Sequence, residues 1–186
     1  SPGTGAQSAV ATEGKIITVY SAKGGVGCTM MATNLALALH SEETKAVLVD
    51  CNLQFGDLAV FLNLKTQRSV IELLERAEEL DQDFIASVTM PHNSGLKVLL
   101  APSSPEQADV VTAAQVKKAL EVLRHQFAYV IVDTSSALTD IMLSIFDVSD
   151  KIVLEPHRIF RLLKTRVFSL IWLKRLTIPV TGSCLC

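Results

Sequence analysis

Lys23, Thr29, Asp50, Asn52 and Asp133 are the residues of this chain whose types and spacing could do chemistry together. Lys23 and Thr29 lie in Ser21-Ala22-Lys23-Gly24-Gly25-Val26-Gly27-Cys28-Thr29, which runs on into Met30. Glycines let backbone N–H groups turn inward, and a helix beginning at the same point adds partial positive charge, so such a loop is a phosphate cradle. Against the general pattern G-x-x-x-x-G-K-[ST] the match is partial. Gly27 and Thr29 supply the closing glycine and a hydroxyl suited to Mg²⁺, but Cys28 stands where the lysine belongs, and Lys23 lies five residues earlier. The expected phosphate-contacting set is therefore Lys23, Gly24, Gly25, Val26, Gly27, Cys28, Thr29 and Met30. Asp133 ends an apolar run and is the expected second anchor of the Mg²⁺ shell, acting through water. Asp50 ends another run and is placed to polarise water or to join the outer shell of the metal. Thr29, Asp50 and Asp133 form the expected metal set.

These residues need rigid elements to hold them. Ile16–Ser21 reads as a buried strand and Thr29–His40 as a helix, with the glycine loop between them. Ala46–Asp50 and Tyr129–Asp133 are short apolar runs without alternation, as expected of strands covered on both faces. Further strands are expected at Leu96–Ala101 and Lys151–Leu154. Helices are expected within 56–64, after Ser69 with Glu72 completing a capping box, over Asp81–Val88, Thr112–Gln126 and Ser136–Phe146. Alternation of this kind implies right-handed crossovers and a three-layer α/β fold: a mostly parallel twisted sheet with helices on both faces. Ligands of such sheets bind at the carboxyl ends of the strands, where the loop, Asp50 and Asp133 all fall.

At 186 residues the chain is long enough for one domain with a substantial core, and 49% hydrophobic with 19% charged residues excludes a disordered chain. A net charge of −2 supplies no global attraction to nucleic acid. Residues 1–14 read as a linker and 15–186 as the folded domain. Cys28, Cys51, Cys184 and Cys186 lack the paired spacing of a zinc site, so free thiols in a reducing cytoplasm are expected. His40, His92, His125 and His157 are scattered and read as surface or helix-end residues. The stretch 155–186 is atypical: Arg158, Arg161, Lys164, Arg166, Lys174 and Arg175 occur there without an acid after Glu155. Residues 159–176 project as a helix that either covers the sheet or lies on a membrane surface, unless the terminus is simply irregular.

Lys23-Gly24-Gly25-Val26-Gly27-Cys28-Thr29 resembles the deviant Walker A loop of MinD/ParA-type ATPases, within the P-loop NTPase class. Val49-Asp50-Cys51-Asn52-Leu53-Gln54-Phe55-Gly56-Asp57 resembles the switch motif of that family, and Val132-Asp133-Thr134 its Walker B segment. The resemblance covers about Lys15 to Leu154, and the missing second lysine with the Leu-Gln-Phe-Gly-Asp-Leu run is most similar to CpaE/TadZ proteins. It implies ATP and Mg²⁺ as cofactors, and catalytic roles for Lys23, Asp50 and Asn52. It also implies a nucleotide-dependent homodimer in which Lys23 reaches the phosphates of the partner. The partners implied are polar-localisation, pilus or secretion proteins, in the cytoplasm or peripheral to the inner membrane or cell pole. Two substitutions bear on activity. Cys28 removes a charge-assisted phosphate contact worth about 1.5–3 kcal/mol, and Asn52 offers an amide that orients water but cannot take its proton. A slow ATPase switch is the first expectation and a non-hydrolysing pseudo-ATPase scaffold the second. A ParA-like DNA-segregation or MinD-like division-site role comes after both, since DNA binding needs several cationic phosphate contacts.

Overall fold

The computed structural model describes residues 13–54, 56–64, 68–76 and 82–154. The expected linker apart from Glu13 and Gly14, the basic stretch beyond Leu154 with its projected helix, and the terminal cysteines lie outside the described residues. In chain order the elements are β1 (Lys15–Tyr20), α1 (Cys28–Leu39), β2 (Ala46–Asp50), α2 (Leu58–Phe61), α3 (Val70–Glu75), α4 (Gln82–Val88) and β3 (Met90–Pro91). There follow β4 (Lys97–Leu99), α5 (Pro105–Asp109), α6 (Ala113–Gln126), β5 (Tyr129–Asp133), α7 (Asp140–Val148) and β6 (Lys151–Leu154). The strands form one sheet in the order β3-β4-β2-β5-β1-β6. All neighbours are parallel except β3 and β4, which pair antiparallel at one edge.

Strand residues alternate between two buried layers. Ile16, Tyr20, Val47, Val49, Val130 and Val132 pack with α3, α4, α6 and α7 on one face. Ile17, Val19, Leu48, Val98 and Ile131 pack with Ala32 and Ala36 of α1 and Leu58 of α2 on the other. Both faces are therefore covered, which is why the runs Ala46–Asp50 and Tyr129–Asp133 are apolar throughout. Each fully buried leucine or isoleucine contributes about 1.5–3 kcal/mol, so cutting Leu123, on α6, to alanine should cost about 2–5 kcal/mol.

The helix ends follow their local chemistry. Ser69 accepts the Ile71 N–H at 3.2 Å while Glu72 accepts the Ser69 N–H at 2.8 Å, the expected capping box. Thr112 and Gln115 make a second box at the start of α6. The helix expected over Ser136–Phe146 instead runs Asp140–Val148, because the Thr139 hydroxyl accepts the Met142 N–H at 3.2 Å and fixes the first turn there. The two-residue β3 and the short α5 extend the element set read from sequence.

Arg124 near the end of α6 closes the amino-terminal edge of the sheet. Its guanidinium donates to the Gly14 carbonyl at 3.2 Å and to Asp150 Oδ2 at 3.1 Å, with Glu13 at 3.7 Å. Asp150 Oδ2 also accepts the Ile16 N–H at 2.8 Å. Gly14 is close-packed: a Cβ there would lie 1.8 Å from the Phe127 carbonyl oxygen.

Connections leave β1 and β5 in opposite directions. From β1 the chain passes through α1 and beyond β5 to β2, whereas from β5 it passes through α7 and beyond β1 to β6. The crevice at the carboxyl ends of β1 and β5 is thus the topological switch point. Among the described residues no helix is long and apolar enough to cross a membrane.

Candidate functional site

The glycine loop leaves β1 at the switch point and returns as the first turn of α1. Gly25 (φ 72°) and Gly27 (φ 102°) adopt left-handed backbone, which lets the loop turn tightly. Gly27 occupies the N-cap position without a side-chain cap, and the first turn of α1 carries no acidic residue. The helix start thus keeps its partial positive charge for an anion. Lys23 is exposed on the loop and its backbone N–H donates to Ser21 Oγ at 3.3 Å. Met30 is also exposed, whereas Cys28 and Thr29 are half-buried at the helix start.

Asp133 ends β5 with its Cα in register with Val19 of β1 on one side and Asp50 of β2 on the other. The sheet thereby brings two of the sequence-derived residues, Asp50 and Asp133, side by side, and α1 adds Thr29. The Thr29 hydroxyl and the Thr134 N–H both hydrogen-bond the Asp133 carboxylate, yet burial outweighs them and raises its pKa. Asp133 Oδ1 is buried without a protein partner. Thr134 is held by its own hydroxyl, which donates to the Val19 carbonyl at 2.7 Å, and the Asp133 carbonyl accepts the Cys51 N–H at 2.9 Å.

Asp50 is 1% exposed. Burial first, then the charge of Asp133, pushes its pKa up to about 7, against the backbone N–H groups of Asn52, Leu58 and Ala101. The Asn52 N–H lies 3.0 Å from Asp50 Oδ1. On the other oxygen the chain passes so close that a Cβ at Gly56 would lie 2.6 Å from Asp50 Oδ2 and 2.4 Å from Ala101 Cβ. Asp50 is therefore clamped by the segment that follows it. Asn52 itself is half-buried and lines an open cleft of about 270 Å³ with Gln54, Ser135, Ser136 and Thr139.

Cys51 is buried, and burial followed by Asp50 and Asp133 drives its thiol pKa far upward. It stays a protonated thiol and a poor nucleophile. Sequence reasoning missed Tyr20. Its ring meets Phe146 edge-on at 5.2 Å, its hydroxyl donates to the Ser136 carbonyl at 3.3 Å, and burial first, then Cys28, raises its pKa. The one available signal was an aromatic residue as the last member of the strand that feeds the loop.

Among the described residues no group of three His, Cys, Asp or Glu side chains could hold a metal alone. Thr29 and Asp133 instead pair a hydroxyl with a carboxylate that has one uncommitted buried oxygen. That donor set fits Mg²⁺, which keeps several waters and completes its shell with phosphate oxygens.

The sequence profile of the AAA domain family AAA_31 matches residues 14–160. The chain belongs to this AAA domain family. Its sequence is 31% identical over 124 residues to the tyrosine-protein kinase ptk of Acinetobacter johnsonii, across 66% of this chain and 16% of the kinase. It is 32% identical over 127 residues to the septum site-determining protein MinD of Synechocystis, across 67% of this chain and 46% of MinD. The AAA domain described here thus spans less than half the length of either relative. In architecture it is similar to a ParA family ATPase from Chlorobium tepidum, with TM-score 0.71, 21% identity, and 75% and 59% of the two chains covered. It is likewise similar to MinD from Pyrococcus horikoshii in complex with Mg-ADP, with TM-score 0.64, 19% identity, and 75% and 56% covered. The fold of this AAA domain is the MinD/ParA-type P-loop fold, and Mg²⁺ and nucleotide are bound by proteins that share it.

Proposed function

We propose that this domain is an ATP-binding switch of the MinD/ParA type that turns over slowly. The observation that carries the reading is the buried Asp133 Oδ1, which has no protein partner beside the Thr29 hydroxyl at the mouth of the glycine loop. A carboxylate oxygen left bare inside a protein costs free energy unless a cation or water meets it. Thr29 and Asp133, with Asp50 behind them, would hold Mg²⁺, which when bound neutralises phosphate charge. Lys23 and the N–H groups from Gly24 to Thr29 would receive the phosphates, and Met30 would flank them. Cys28 supplies no cation at the lysine position, and Asn52 orients water without accepting its proton. Cys28 thus weakens the hold on phosphate and Asn52 slows hydrolysis, and both favour slow turnover.

The wider role follows from resemblance. We assign the domain to the CpaE/TadZ-like group, which acts in polar localisation and assembly of pilus or secretion machinery. It would form a nucleotide-dependent homodimer through Lys23, in the cytoplasm or at the inner membrane or cell pole. Cys28 and Asn52 also support a second reading, a pseudo-ATPase scaffold whose pocket is structural. Calorimetric titration of ATP and ADP with Mg²⁺, run beside Cys28→Lys and with mass measured by light scattering, separates the two. Micromolar ATP binding that drives dimerisation, lost in Lys23→Ala, supports the switch. A wild type that binds nothing while Cys28→Lys binds well makes the domain a scaffold.

A further inference from the structure

The opposite edge of the sheet carries a second site. A pocket of about 260 Å³ opens there between the ends of α1, α4 and α6 and the starts of β2 and β4. Its lining includes Lys45, Lys97 and His40 together with the apolar Ile85, Ala86 and Phe127. Val47 is in register with Lys97, and Lys45 lies two residues before Val47, just ahead of β2. From strand spacing the two lysine Cα atoms are about 8 Å apart, close enough for both ammonium groups to meet on one ligand. Neither lysine takes part in the ion pairs found among the described residues, both of which belong to Arg124.

His40 is fixed in the same wall. Its Nδ1 accepts the Ala46 N–H at 3.2 Å, which leaves Nε2 to carry the proton. That nitrogen faces Gly95, where an added Cβ would lie 3.4 Å away on a backbone of φ +86°. Burial first, then Lys45, lowers the pKa of the ring, so it is present as a neutral donor. Two cations and one N–H donor thus share the lining of one pocket with apolar side chains.

From this geometry we infer that the pocket binds a small organic anion, a carboxylate or phosphate monoester on a short apolar body. The charged head meets Lys45, Lys97 and His40 Nε2, and the body lies on Ile85, Ala86 and Phe127. The site is independent of the nucleotide reading, since the glycine loop lies at the other end of α1.

The test is a ¹H–¹⁵N titration of the whole chain with n-butyl phosphate, hexanoate and inorganic phosphate, followed at the His40 ring and at the Ala46 and Gly95 amides. These reporters lie about 17 Å, the length of β2, from the residues that hold nucleotide, so anion entering the loop leaves them unmoved. Saturable shifts with n-butyl phosphate identify the phosphate monoester as the ligand class, and shifts with hexanoate identify the carboxylate. Lys45→Gln and Lys97→Gln should each weaken binding about tenfold, in proteins whose spectra stay dispersed. If the lysines serve only to offset the carbonyl ends of α1, α4 and α6, none of these anions shifts the reporters up to about 10 mM and the proposal fails. It fails equally if both variants bind like wild type, or if inorganic phosphate binds as tightly as n-butyl phosphate.

Discussion

Asp50→Asn in the ligand-free protein tests whether burial or hydrogen bonding governs the carboxylate at the centre of the site. A carboxyl group raised from 3.8 to about 7 holds a proton in the folded chain that the unfolded chain has released. Stability therefore falls as pH rises through that window. Below the unfolded value both states are protonated and nothing is lost, while above the folded value the ionised native form carries the full penalty. At 1.36 kcal/mol per pKa unit the whole window is worth about 4 kcal/mol, of which about 2–3 kcal/mol falls between pH 5 and pH 8. Asp133 is shifted the same way, whereas His40, lowered by burial, opposes both because its folded form resists the proton that the unfolded chain accepts as pH drops. The readout is accordingly the difference in slope between wild type and variant in urea unfolding from pH 5 to 8, with chelator present. Asp50→Asn should remove about 2–3 kcal/mol of the pH dependence. Its absolute stability is not diagnostic, since the amide turns an N–H toward a clamp made of donors. Equal slopes would refute the reasoning and mean that the three backbone donors cancel the effect of burial.

Cys28→Lys should tighten Mg-ATP binding roughly ten- to hundredfold by calorimetry, because it restores one charge-assisted phosphate contact. Gly14→Ala should lower stability in urea by about 1–3 kcal/mol or more, since its Cβ would meet the Phe127 carbonyl at 1.8 Å and neither is free to move aside. Thr134→Val should cost about 1–2 kcal/mol by the same measurement, through loss of the buried bond to Val19 at 2.7 Å, with no effect on the pH slope.

The fold was legible where burial is complete on both faces. The runs ending in Asp50 and Asp133 have the bounds read from sequence, because an apolar strand stops where a charge begins. The start of α7 was misread because Ser136 is a plausible cap by composition. Thr139-Asp140, a capping hydroxyl followed by an acid in the first turn, was the better signal. Ser104-Pro105 is a comparable start signal, and it opens the α5 that sequence reading passed over. Met90–Pro91 gave no strand signal, since two residues show no period and their partner lies beyond a turn through Gly95. For the site, residue types and strand ends brought Thr29, Asp50 and Asp133 together on paper. The approach of Gly56 and Ala101 to Asp50 was out of reach, because it depends on how two distant loops pack. The lysines at the base of the sheet were invisible for a similar reason: Lys45 and Lys97 come to one pocket only through the pairing of β2 with β4.

The Arg124 cluster has a mechanical consequence. One guanidinium holds Gly14 and Asp150, and Asp150 in turn holds the start of β1, at the amino-terminal edge about 20 Å along β1 from the glycine loop. A pull on the chain ahead of Glu13 is thus delivered to the end of α6 and the start of β6 before it reaches β1. The load divides across three elements, and the loop at the far end of the strand feels little of it. The domain can be tethered by its amino end without its glycine loop being tugged out of shape.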